Sequence, residues 1–138
     1  MIRVLLDTNL YVGWLNRSLH PELFLGRGYV RYLSSVVLME LRAGASTRRA
    51  STALDQLLRG YRGGGRLVAP PAPLFDRAGT ILRRLQLTGR DVRRASLVHD
   101  VLIALTARAI GATLYTSDAG DFQAIREIER FALEIVTP

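Results

Sequence analysis

Five of the 12 acidic residues stand where a carboxylate could do chemistry, because each follows a predicted strand or lies within a predicted apolar helix. They are Asp7, Glu40, Asp100, Asp118 and Asp121. Taken singly, each also fits an ordinary structural role, such as a helix cap, a turn residue or a solvent-facing position. In a parallel sheet, however, they would meet at the edge formed by the carboxyl ends of the strands. Converging carboxylates repel one another, and a hard divalent cation such as Mg²⁺ relieves that repulsion.

Short apolar runs alternate with helical patterns along the chain, which is typical of an α/β fold whose parallel sheet is covered on both faces. The predicted strands are residues 2–6, 29–34, 66–69, 112–115 and 132–136. The predicted helices are residues 9–16, 34 or 35 to 44, 47–61, 73–87, 96–110 and 121–127. Asp7 or Thr8 is expected to cap the first helix, and Ser96 the helix that carries Asp100. No repeat or boundary divides the chain, so we expect a single domain over residues 1–138.

The composition excludes several kinds of chemistry. The 138 residues include no cysteine, which removes disulfides, thiol catalysis and thiolate-bound zinc or iron–sulfur clusters. All 19 basic residues are arginine, so no lysine is present for a Schiff base or a phosphate-binding loop. A GC-rich genome is the preferred explanation for arginine in place of lysine, but the net charge of +7 favours a polyanionic partner in either case. No apolar run approaches the roughly 18 residues of a membrane span, and no signal peptide is evident, so we expect a cytoplasmic protein.

Four segments of the chain resemble the motifs of PIN-domain ribonucleases and, within that family, the VapC toxins of toxin–antitoxin pairs. In chain order they are Leu-Leu-Asp7-Thr8-Asn9, Val-Leu-Met-Glu40-Leu-Arg-Ala-Gly, His99-Asp100-Val-Leu-Ile-Ala and Leu-Tyr-Thr116-Ser-Asp118-Ala-Gly-Asp121-Phe122. The resemblance covers essentially the whole chain. It implies a three-layer α/β/α fold with a central, mainly parallel sheet, and an endoribonuclease that depends on Mg²⁺ or Mn²⁺.

The resemblance also implies roles for the acidic residues. Asp7, Glu40 and Asp100 match the first three acidic positions of the family, whereas the fourth position is either Asp118 or Asp121. Asp7 and Asp100 would hold the main metal ion, and Glu40 would ligate it directly or through water. The fourth acid would complete a second, weaker site.

Neighbouring polar residues are expected to support these acids. Thr8, Asn9 and Thr116 would orient ligands or water, whereas His99 is expected to be a hydrogen-bonded or solvated neighbour rather than a ligand. Three arginines precede the helix that carries Asp100, and they either bind RNA phosphates or belong to a solvated loop. They are Arg90, Arg93 and Arg94.

The resemblance to toxins implies two protein partners, a second copy of the chain in a homodimer and a small cognate antitoxin that covers the active-site groove. The helical segment 10–15, with Tyr11 and Trp14, either contributes to that surface or packs in the core. The alternative function is a catalytically silent RNA- or protein-binding module on the same fold. The intact acidic set argues against that alternative.

Overall fold

The computed structural model describes residues 1–138 and contains five strands and seven helices. The strands are β1 (Ile2–Leu6), β2 (Tyr29–Ser34), β3 (Leu67–Val68), β4 (Thr113–Thr116) and β5 (Leu133–Ile135). The helices are α1 (Thr8–Arg17), α2 (Pro21–Leu25), α3 (Ser35–Gly44), α4 (Arg48–Arg62), α5 (Ala72–Leu87), α6 (Ala95–Ala109) and α7 (Gly120–Ile128). No helix is long and apolar enough to cross a membrane.

The strands form one parallel sheet in the order β3-β2-β1-β4-β5, and the helices flank it, so the predicted three-layer α/β/α fold is confirmed. The last three residues of β1, Val4, Leu5 and Leu6, are fully buried. A strand at the centre of a covered parallel sheet is buried on both faces, which explains why these three consecutive residues are all apolar rather than alternating with polar ones. These residues belong to a core of 27 buried hydrophobic side chains.

The strand order places a crevice at the carboxyl ends of β1 and β4. From β1 the chain adds β2 on one side, and it later returns to add β4 on the other side. Parallel sheets bind ligands where the strand order reverses in this way. Leu6 pairs with Tyr115 across the two strands, and the backbone N–H of Asp7 donates to the carbonyl of Tyr115 at 2.9 Å. The residues that follow β1 and β4 therefore lie side by side.

The structure corrects the prediction in two places. Ser96 does not cap α6, because the helix begins at Ala95 with Arg94 at the N-cap and has no side-chain cap. Asp100 accordingly lies in the second turn of the helix. The short helix α2, Pro21–Leu25, was not predicted, since five residues give too few apolar positions to show a helical period.

Tyr11 on α1 belongs to the core, as the second interpretation of this segment predicts, whereas Leu15 of the same segment is 37% exposed. Tyr11 is fully buried, and its hydroxyl lies 2.8 Å from that of Tyr61 on α4, which is itself only 5% exposed. Trp14, one turn further along α1, stacks on Phe24 with ring centroids 5.0 Å apart. The aromatic residues of α1 therefore fix this helix against α2 and α4.

We predict that Tyr11→Phe destabilises the protein by about 1–2 kcal/mol, because the buried hydroxyl of Tyr61 loses its partner. Urea unfolding of this variant, of Tyr61→Phe and of the double variant measures the effect. The double variant should lose less stability than the sum of the two single losses. Strictly additive losses would show that the two hydroxyls do not stabilise each other.

Candidate active site

Four carboxylates line a single cavity of about 360 Å³ at the carboxyl edge of the sheet. They are Asp7, Glu40, Asp100 and Asp118. Each comes from a different place in the chain: the end of β1, the middle of α3, the second turn of α6 and the segment after β4. The structure thus brings together four of the five acids singled out in the sequence. Thr8, Asn9 and Ser96 also line the cavity.

Asp7 lies at the centre of the hydrogen bonds in this cavity and is only 6% exposed. It is the N-cap of α1, and its Oδ1 accepts from the backbone N–H of Thr8 at 2.8 Å. Its Oδ2 accepts from the hydroxyl of Thr116 at 2.8 Å. Burial, together with the charges of Glu40 and Asp118, raises the pKa of Asp7 to about 6, against the lowering effect of these two hydrogen bonds.

Glu40 is held through both of its oxygens. Its Oε1 accepts from the hydroxyl of Thr8 at 2.6 Å, and its Oε2 lies 3.1 Å from Nδ1 of His99. His99 is therefore the hydrogen-bonded neighbour that was expected. Its partner could not be inferred from the sequence, because the contact joins α3 to α6 across 59 positions of the chain.

Asn9 links the segments that follow β1 and β4. Its Nδ2 donates to the hydroxyl oxygen of Thr116 at 3.2 Å, and its Oδ1 accepts from the backbone N–H of Ser117 at 3.3 Å. The same amide nitrogen lies 3.4 Å from Oδ2 of Asp7. Each of the three polar residues expected to support the acids, Thr8, Asn9 and Thr116, therefore makes a hydrogen bond to an acid of the cavity.

Asp100 has the most perturbed carboxyl group of the site. Burial raises its pKa to about 8, and the negative charges of Asp7, Asp121, Glu40 and Asp118 add to the effect. In the metal-free protein this carboxyl group is consequently protonated over much of the neutral range. A cation that enters the cavity must displace that proton.

Asp118 and Asp121, which the sequence left as alternatives, occupy different surroundings. Asp118 lines the cavity, and its backbone N–H donates to the hydroxyl of Thr116 at 3.1 Å. Asp121 does not line it: its Oδ1 lies 2.6 Å from Nη1 of Arg90, and its Oδ2 lies 2.8 Å from Nη2 of Arg94. Arg90 and Arg94 are thus ion-paired beside the cavity.

Arg93, the third arginine of the segment before α6, points elsewhere. Its side chain is 90% exposed and pairs with Asp91 at 3.3 Å, so it does not take part in the contacts with Asp121.

The donor set suits a hard divalent cation. Carboxylate oxygens are the preferred ligands of Mg²⁺ and Mn²⁺, and the cavity presents four such groups with no sulfur ligand. No three Asp, Glu or His side chains are gathered tightly enough to form a ready-made metal centre. The carboxylates line the walls of the cavity, and their charges raise the pKa values of Asp7 and Asp100.

Comparison with known proteins identifies the family. The family model for the PIN domain matches residues 4–128, which is most of the chain. The chain belongs to the PIN-domain family. PIN domains are generally nucleases that use divalent metal ions. The resemblance to this family inferred from the sequence motifs is therefore confirmed. A search of curated proteins finds no match to the chain.

Solved structures similar to this PIN domain include several toxin–antitoxin complexes. VapBC2 from Rickettsia felis, crystallised with a promoter DNA fragment, has a TM-score of 0.73 and 24% identity, with 98% of this chain and 99% of that chain covered. DNA-bound VapBC from Salmonella typhimurium has a TM-score of 0.71 and 22% identity, with 98% of each chain covered. VapBC-5 from Mycobacterium tuberculosis has a TM-score of 0.62 and 22% identity over the full length of both chains. At these identities the similarity shows the fold.

We predict that Asp100→Asn stabilises the metal-free protein, and that the gain grows as the pH rises. The folded pKa of about 8 lies above the ordinary value of 3.8, so the wild type loses stability as the pH rises through that interval, whereas the amide cannot titrate. Between pH 5 and pH 9 the difference in unfolding free energy should grow by on the order of 2–4 kcal/mol. Urea unfolding in EDTA at several pH values measures it.

The control for this experiment is Asp76→Asn, which removes the charge of an exposed Asp on α5. Its stability relative to the wild type should stay the same across the pH range. An equal gain for Asp100→Asn at pH 5 and pH 9 would contradict the assignment of a raised pKa to Asp100.

Proposed function

We propose that the protein is a metal-dependent endoribonuclease that hydrolyses phosphodiester bonds of RNA. The observation that carries this proposal is the convergence of Asp7, Glu40, Asp100 and Asp118, from four separate elements, on one cavity at the reversal of strand order. Structural stability does not require such a set, since unrelieved repulsion between buried carboxylates is unfavourable. Membership of the PIN-domain family supports the assignment to nucleases.

The four carboxylates of the cavity would hold Mg²⁺ or Mn²⁺. When bound, such an ion lowers the pKa of a coordinated water and neutralises charge on the phosphate. Asp7 and Asp100 are the two carboxyl groups whose pKa values are raised, and Glu40 and Asp118 line the cavity with them. Asp121 is left out of this ligand set because it does not line the cavity and is paired with two arginines.

The neighbouring polar groups keep the ligands in place before substrate arrives. Thr116 and the N–H of Thr8 fix the two oxygens of Asp7, while the hydroxyl of Thr8 and the ring of His99 hold Glu40. A carboxylate whose rotamer is already fixed loses little entropy when it binds an ion or orients a water. The surrounding chain carries a net charge of +7, which attracts the phosphate backbone of RNA without regard to sequence.

The cellular role that we propose is that of the toxin in a toxin–antitoxin pair. The similar VapBC structures are complexes of toxin–antitoxin systems, and an antitoxin partner follows for this chain by analogy. The homodimer and the cytoplasmic location expected from the sequence remain part of this proposal.

An apolar groove next to the acidic cavity suits a helix of such an antitoxin. This groove of about 350 Å³ lies between α1, α3 and α4, and its walls include Val12, Leu15, Leu41 and Ala53. Val12 and Leu15 are 44% and 37% exposed, so the groove is open to solvent. Val12 and Glu40 line both the groove and the acidic cavity. A helix seated in the groove would therefore border the active site and restrict access to it.

We predict that the purified protein makes discrete cuts in transfer or ribosomal RNA with Mg²⁺ or Mn²⁺, and none with EDTA. Asp100→Asn should lose at least roughly 100-fold in cleavage rate, because a bound metal ion contributes several kcal/mol to transition-state stabilisation. Gel analysis of the fragments with each metal measures the activity, and a single-stranded DNA of matched sequence tests the preference for RNA.

Asp76→Asn is the matched control for cleavage as well, and it should cut at the wild-type rate. If the folded, partner-free protein cuts no RNA with either metal, the proposal is wrong and the silent binding module becomes the better interpretation. Equal activity of Asp100→Asn and the wild type would show that the acidic cavity is not the site of hydrolysis.

We predict that Ala53→Arg weakens binding of the cognate antitoxin by at least roughly tenfold, because the new side chain fills the groove. Isothermal titration of the antitoxin into the variant measures the effect. Thr52→Arg adds the same charge at an exposed position of α4 that does not line the groove, so it should bind normally. Equal weakening by the two substitutions would argue against the groove as the docking site.

A further inference from the structure

Asp121 lies beside the acidic cavity, and its carboxylate forms ion pairs with two arginines. Its side chain is only 11% exposed and lies in the first turn of α7. Arg90 donates a hydrogen bond to Oδ1 at 2.6 Å, and Arg94 donates one to Oδ2 at 2.8 Å. Asp121 does not line the cavity, and the two guanidinium groups offset the negative charge that would attract a metal ion, whereas Asp118 lines the cavity without such a partner.

The two arginines belong to the segment that leads into the active site. Arg94 is the N-cap residue of α6, the helix that brings Ser96 and Asp100 to the cavity. Their side chains are 38% and 48% exposed, so solvent and ligands reach them although Asp121 is nearly buried. Phe122, the residue after Asp121, lines the acidic cavity, as does Ser96, which follows Arg94 by two positions.

Arg90 and Arg94 each have N–H donors that Asp121 does not use. A guanidinium group has five N–H donors, and Asp121 accepts from one terminal nitrogen of each arginine. The other terminal nitrogen of Arg94 lies 3.4 Å from the hydroxyl of Ser96. Two cations share one anion, which leaves an excess positive charge. Guanidinium groups bind phosphate oxygens in a paired geometry, and a carboxylate that fixes their rotamers reduces the entropy lost on binding.

We propose that Asp121 is a positioning residue that holds Arg90 and Arg94 as a preformed site for a backbone phosphate of RNA at the edge of the acidic cavity. This inference rests on the proposed function, since it names the part of the substrate that the site takes. It assigns Asp121 to substrate binding and leaves metal binding to Asp118 and the other acids of the cavity.

Binding of a labelled single-stranded RNA, measured by fluorescence anisotropy in EDTA at several salt concentrations, tests the proposal without any cleavage. Asp121→Asn should weaken binding by roughly 3- to 10-fold and reduce the slope of log affinity against log salt by about 0.7 for each phosphate that the variant no longer binds. Arg90→Ala/Arg94→Ala should weaken binding at least as much. Adding Asp121→Asn to that double variant should have no further effect, because the residue acts through the arginines.

Glu129→Gln is the matched control. Glu129, just after the C-terminal end of α7, pairs with Arg77 and Arg108, so this substitution also breaks an arginine–carboxylate pair and also removes one negative charge. Net charge alone would make both variants bind RNA slightly more tightly. If Asp121 positions the two arginines, Asp121→Asn should bind RNA more weakly than the wild type, whereas Glu129→Gln should not. Equal affinities and salt slopes for the two variants would overturn the proposal.

Kinetics separate the proposed role of Asp121 from a role in metal binding. Asp121→Asn should raise the KM for RNA with a near-normal kcat and an unchanged Mg²⁺ requirement, whereas Asp118→Asn should lower kcat and raise the Mg²⁺ requirement. A lower kcat and a higher Mg²⁺ requirement for Asp121→Asn, with normal RNA binding, would make it a metal ligand instead. If the protein cuts no RNA, the binding experiment still tests whether Asp121 positions the arginines. Failure of the proposed nuclease activity can therefore be distinguished from failure of the proposed role of Asp121.

Discussion

Carboxylates that share a small cavity repel one another, and the surroundings of this site are arranged around that repulsion. Thr8 and Thr116 donate hydrogen bonds to Glu40 and Asp7, and two arginines neutralise Asp121. None of these side-chain contacts reaches Asp100, and its pKa rises furthest, to about 8. Burial and the neighbouring negative charges thus disfavour the ionised form of Asp100, which a proton or a cation must stabilise.

The fold and most of the site could be predicted because they depend on local patterns. The continuous apolar run of β1 indicates a buried parallel strand, and its end fixes the position of Asp7. Once β4 is placed beside β1, the pairing of Leu6 with Tyr115 brings Thr116 next to Asp7. No knowledge of side-chain packing is needed for this step, since parallel strands align their carboxyl ends.

The remaining features depend on packing between helices, which a sequence pattern does not encode. Asp118 and Asp121 are three positions apart at the start of a helix, and spacing alone does not tell which of them faces the cavity. Their separation depends on where the end of α5 and the start of α6 place Arg90 and Arg94. The contact of His99 with Glu40 likewise depends on how α6 packs against α3.

Under the proposed function, the distribution of charge links cation binding to RNA binding. The chain as a whole is strongly positive, with a net charge of +7, whereas the cavity is lined by four carboxylates. The positive exterior would attract a nucleic-acid backbone, but a phosphate that approaches the empty cavity would meet like charge. Under the proposed function, a cation in the cavity removes that repulsion, and a phosphate at its edge strengthens cation binding by the same factor, because such coupling is reciprocal. The arginines held by Asp121 stand at that edge, where they offset the repulsion before the cation binds.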